Sequence, residues 1–88
     1  MEITALEIKE AILYSGFRFE DIETNEVECD NEIIVNNSII YDTIDKKYYS
    51  VYWKEKINGE QIFYKQIAKE VKKIEITRTE WIPVNYDL

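Results

Sequence analysis

The sequence predicts an α+β fold: a small antiparallel sheet of four to five strands, with an N-terminal helix and a second helix near residues 61–73 packed on one face. Three observations predict it. Thr4 and Glu7 have capping-box spacing ahead of an apolar pattern of helical period. Short runs of β-branched and aromatic residues bounded by polar ones then follow as far as residue 57. A second stretch of helical period, with lysines opposite its apolar side, lies between residues 61 and 74.

The first helix is expected over about residues 5–15. At 100° per residue Ala5, Ile8, Ala11, Ile12 and Leu13 form one broad stripe, Glu7, Glu10 and Tyr14 lie opposite, and Gly16 supplies a left-handed stop. Lys9 falls inside the stripe and must snorkel. The runs Phe17-Arg18-Phe19, Glu32 to Val35 and Ser38 to Tyr41 read as strands, and Asn36-Asn37 is expected to form a tight turn that makes residues 32–42 one hairpin. Residues 47–57 give the longest strand, a central one. It places Tyr49, Val51 and Trp53 on one face and Tyr48, Ser50, Tyr52, Lys54 and Lys56 on the other.

Asn58-Gly59 supports two readings. As a hairpin signal it sends the chain back as a strand. As a helix start, with Asn58 capping and Glu60 at the positive end of the dipole, it leads into Phe63, Tyr64, Ile67, Val71 and Ile74 on one stripe. Lys65, Lys69, Lys72 and Lys73 take the other side, so a helix is expected across at least residues 64–73, with room for a short hairpin return through Ile62. Burial of Ile67 under this reading predicts that Ile67→Asp unfolds the domain. A last strand from Ile74 to Ile82 ends at Pro83, and Val84 to Leu88 form a loose tail.

Eighty-eight residues fit a single domain spanning 1–88. The amino terminus shows neither a secretory pattern nor a membrane span, and Cys29 is the only cysteine, so a cytoplasmic protein without disulfides is expected. The Ile, Lys, Glu, Asn and Tyr content beside one Pro and two Gly suggests an AT-rich genome, as in many phages and some bacteria. With no histidine, the Ser-His, Cys-His and His-metal arrangements are excluded, and one cysteine cannot supply a zinc site. Gly16 and Gly59 stand alone, so no phosphate loop is present. No enzyme, cofactor or metal is expected. Glu28, Asp30 and Glu32 alternate as if to project from one side of a strand, yet they lack the Gly and bidentate Glu of a calcium loop and read as a solvated acidic edge. Cys29 reads as a buried or inert thiol, and Asn36-Asn37-Ser38 as a glycosylation pattern without meaning in an unsecreted chain.

Charge is segregated along the chain. Residues 1–18 carry a net −1, residues 19–45 carry nine acids and no base, and residues 46–88 carry a net +3. Glu20, Asp21, Glu23, Glu26, Glu28, Asp30 and Glu32 fall within thirteen positions. One reading is a solubilising surface, or an acidic segment lying against the chain's own basic helix. The sharper one is a row of carboxylates that imitates a phosphate backbone and fits a basic groove on a nucleic-acid-handling protein.

Small size, acidity, missing catalytic groups and AT-rich composition resemble the general run of phage-encoded inhibitors of host defence, including anti-CRISPR and anti-restriction proteins. The resemblance is one of type and carries over no motif and no residue. It implies a non-enzymatic inhibitor, monomeric or homodimeric, that binds a basic protein such as a nuclease or CRISPR effector through those seven acids, with no direct nucleic-acid or membrane contact. Phe17, Phe19, Tyr41 and Trp81 are candidate anchors beside them. Two alternatives remain: an antitoxin or immunity protein against a nuclease toxin, and a single-strand-binding domain using the Tyr48, Tyr52, Lys54 and Lys56 face.

Overall fold

The reciprocal bonds expected at the helix start are formed. Glu7 N–H donates to Thr4 Oγ1 at 3.1 Å and Thr4 N–H donates to Glu7 Oε1 at 3.0 Å, and helix α1 runs Ala5–Tyr14 behind them. The computed structural model describes residues 1–14, 18–75 and 79–85; the expected stop at Gly16 and the anchor Phe17 lie outside them. Ile8 and Ala11 are buried, whereas Leu13 at the margin of the stripe is exposed. Helix α1 follows a two-residue strand, β1 (Glu2–Ile3).

Among the described residues seven further strands follow: β2 (Phe19–Cys29), β3 (Ile33–Asp42), β4 (Lys47–Lys56), β5 (Gln61–Ile62), β6 (Gln66–Ile67), β7 (Lys69–Glu75) and β8 (Thr79–Pro83). The main sheet is antiparallel in the order β2-β3-β4-β7-β8, with β5 also pairing β4, and it curls; β1 and β6 form a separate small ladder. Strand β4 is central, as expected, and Tyr49, Val51 and Trp53 are buried on the face the alternation assigns them. Together with Ile3, Ile8, Ala11, Phe19, Ile40 and Ala68, Tyr49 and Val51 make the core beneath α1, with Ile12 and Phe63 packed against it. Fully burying an aliphatic side chain of this kind contributes about 1.5 to 3 kcal/mol.

Three sequence expectations are corrected. Asn36-Asn37 is not a turn, because β3 passes straight through it and pairs on both sides, Asn36 opposite Glu26 and Trp53, Asn37 opposite Asn25 and Tyr52. Asn37 Nδ2 donates to Ser50 Oγ at 2.7 Å and to Val51 O at 3.0 Å, so cross-strand bonds replace the local ones that would have bent the chain. The β-branched runs on either side then make one long strand.

The second helix does not form. Asn58-Gly59 turns the chain instead: Gly59 N–H donates to Lys56 O, Lys56 N–H donates to Glu60 O, and Gly59 has φ +94°, the left-handed residue that closes a three-residue hairpin loop. The returning chain supplies β5 and β7 to the otherwise open edge of β4. Between them the Gln66 carboxamide fills the gap, accepting from Tyr52 N–H at 2.8 Å and donating to Tyr52 O at 2.7 Å. Central-strand backbone groups need partners, and that requirement outweighs a helical spacing built from poor helix formers such as Ile, Phe, Tyr and Val. Ile67 is 81% exposed, which removes the basis for expecting Ile67→Asp to unfold the protein.

The expected single strand from Ile74 to Ile82 is divided between β7 and β8, which pair with each other from Val71 opposite Pro83 to Glu75 opposite Thr79. Among the described residues no helix is long and apolar enough to cross a membrane.

Candidate functional site

Strand β2 is the outermost strand beside β3, and from Ile22 to Cys29 all of its residues are exposed. It holds five of the seven predicted acids, Glu20, Asp21, Glu23, Glu26 and Glu28, while Asp30 and Glu32 lie in the loop to β3. The register with β3 shifts twice, between Asp21 and Glu23 and between Glu26 and Glu28. Ile22 and Val27 are the extra residues at these bulges, and both are exposed.

The bulges decide where the acids point. Glu20, Glu23 and Glu28 pair with Tyr41, Ile39 and Val35, on the sheet face away from the helix. Asp21 and Glu26 pair with Ile40 and Asn36 on the helix face. The seven acids therefore make a negative rim along an edge and its loop, and not one flat face. The expected projection of Glu28, Asp30 and Glu32 from one strand side is likewise corrected: Asp30 follows the end of β2, and its Oδ1 accepts from Glu32 N–H at 2.9 Å and Ile33 N–H at 2.8 Å. Those two backbone donors hold the Asp30 carboxyl below its ordinary range.

The acids differ in their freedom. Asp21 accepts from Thr24 Oγ1 at 3.3 Å, and its partial burial pushes its pKa up against that hydrogen bond. Glu23 accepts from the Trp81 indole and from Asn25 Nδ2 at 3.2 Å. Glu26, Glu28 and Glu32 are exposed and their carboxylates take part in no hydrogen bond or ion pair among the described residues. None of the four ion pairs among the described residues reaches an acid of the 20–32 segment: Arg18 pairs with Asp42 and Asp45, Lys47 with Glu70, and Lys56 with Glu60. The segment is not neutralised by a basic helix, since none forms.

The aromatic candidates divide in two. Phe19 is 2% exposed and belongs to the core. Tyr41 and Trp81 flank Tyr48 on the face away from α1, with ring centroids at 4.8 and 4.9 Å from Tyr48, and Lys73 Nζ lies 5.8 Å from the Trp81 ring. The alternative face is mostly engaged as well: Tyr48 within this trio, Lys56 with Glu60 at 3.0 Å, and Lys54 Nζ 6.0 Å from the Tyr64 ring. Tyr52 alone of the four presents an open ring, 44% exposed.

Cys29 is exposed, which removes the buried alternative of the buried or inert thiol expected, and its Sγ lies 3.4 Å from Asp30 O. Among the described residues no group of three His, Cys, Asp or Glu side chains is placed to hold a metal ion. No family model, curated protein or solved structure matches this chain.

Proposed function

We propose that this protein is a non-enzymatic inhibitor that binds a positively charged nucleic-acid-handling protein through its acidic rim, in the manner of phage-encoded anti-CRISPR and anti-restriction proteins. The supporting observation is the exposure of Glu26, Glu28 and Glu32 on and beside an edge strand, with no cation of the described chain paired to them. Carboxylates carried on a paired strand and its adjoining loop lose little freedom on binding, and their field steers a basic partner. A single-strand-binding role draws less support, since Tyr48 packs between Tyr41 and Trp81 and Lys56 already pairs with Glu60.

The test titrates the protein into complexes of labelled duplex DNA with purified nucleases and CRISPR effectors, at about 50 and 200 mM salt, and follows duplex release by anisotropy. Release is expected from the wild type and not from Glu26→Lys/Glu28→Lys/Glu32→Lys, whose melting temperature should be unchanged. Equal release by the folded triple variant removes the rim from the reading. Salt-sensitive binding of labelled single-stranded DNA or RNA by the domain itself would replace it with the nucleic-acid alternative.

A further inference from the structure

Helix α1 buries Ile8 and Ala11 yet leaves Leu6 62%, Leu13 38% and Tyr14 61% exposed on its outward side. By the helical period Leu6 and Leu13 lie within about 20° of each other, forming a line down the middle of that side. Lys9 sits about 50° to one side of the line and Glu10 about 50° to the other, and neither forms an ion pair with a described residue. Leu6, Lys9, Glu10 and Tyr14 line a shallow concavity of about 540 Å³, with room for side chains of a facing helix.

We infer that this surface pairs with the same helix of a second copy, the two helices running parallel about a two-fold axis along their length. The charges choose both the partner and the direction. A two-fold axis parallel to the helices carries each flank to the opposite side at the same height, so Lys9 of one copy meets Glu10 of the other, twice, while Leu6 meets Leu6 and Leu13 meets Leu13. A perpendicular axis keeps each flank on its own side, setting Lys9 against Lys9 and Glu10 against Glu10. The leucine line with its opposed charges is thus complementary to itself in the parallel arrangement alone. The surface is separate from the acidic rim and holds whether or not the proposed function does.

Sedimentation equilibrium on the whole chain tests this between about 10 and 500 μM, the range of a weak and small interface. The wild type is expected to form dimers there. Lys9→Glu and Glu10→Lys each weaken self-association at least tenfold, and their equimolar mixture associates again, because each supplies the charge the other lacks. Leu6→Glu abolishes the dimer with an unchanged far-UV spectrum. In a Cys29→Ser background, Leu13→Cys cross-links to its own copy under mild oxidation. A wild type that stays monomeric throughout overturns the inference, even if α1 captures some other protein. So does a dimer indifferent to both charge variants, or a mixture that fails to associate.

Discussion

Trp81 donates its indole N–H to the Glu23 carboxylate, tying the last strand of the sheet to the first long one across 58 positions of sequence. The two strands stand at opposite ends of the order β2-β3-β4-β7-β8, so this contact closes the curl, with the Tyr48 ring packed beneath Trp81. Glu23→Ala should cost about 0.5 to 1 kcal/mol, the value of a charge-assisted bond that water partly screens. The check is a lower melting temperature accompanied by a red shift in tryptophan emission as Trp81 becomes wetter. Glu23 accordingly has no place among the reversed charges in a binding test.

Asp42 is fully buried and accepts from Arg18 Nε at 3.0 Å, Arg18 Nη2 at 2.9 Å and the Ile44 and Asp45 N–H groups. The Arg18 bond is the main cause that lowers its carboxyl pKa. A group depressed on folding contributes stability above its unfolded pKa, near 4 for Asp, and loses it as pH falls through the folded value. Thermal melts should therefore fall steeply as pH is lowered from about 4 to about 2. Asp42→Asn should lose about 2 kcal/mol at neutral pH and show a shallower acid limb. An unchanged acid limb would show that other carboxylates govern acid unfolding.

The Gln66 carboxamide stands in for a missing strand beside Tyr52. Gln66→Leu keeps the side-chain size and removes both bonds, so a loss of about 1 kcal/mol is expected. Amide exchange should accelerate at Tyr52 more than at Ser50, whose partner on β7, Lys69, is intact.

Gly59 has open space where a side chain would go, with no atom within 4 Å of an added Cβ. Gly59→Ala should still cost about 1 kcal/mol, because the left-handed backbone at φ +94° is the obstacle. Gly59→Asn should recover part of that loss in chemical denaturation, since Asn tolerates this conformation better.

Ile40 and Ile67 distinguish the observed sheet from the helix expected over residues 61–73. Ile40 is fully buried, and Ile40→Ala should lose about 2 to 5 kcal/mol. Ile67→Asp, at a position 81% exposed, should change stability by no more than about 0.5 kcal/mol. Urea titrations of the two variants make the comparison.

What the sequence determined by itself was local. Thr4 and Glu7 predict the start of α1 because the bonds that cap a helix join residues three apart. The alternation from Tyr48 to Trp53 predicts both faces of β4, since a strand of period 2 declares which residues are buried wherever one face meets a core. The run of acids from Glu20 to Glu32 is likewise visible in composition. Tertiary structure decided the rest. Asn36-Asn37 has the chemistry of a turn and became mid-strand because Ser50 and Val51 on β4 offered its amide better bonds than its own backbone did. Residues 61–75 fit a helical period and became strands because β4 had an edge to fill, a need that no local window of sequence contains. The bulges at Ile22 and Val27 reassign Glu23 and Glu26 to the opposite faces from those that plain alternation gives them, and they exist only in the register with β3. Spacing within a segment is written in the chain, whereas strand pairing is a contest among distant segments that folding resolves.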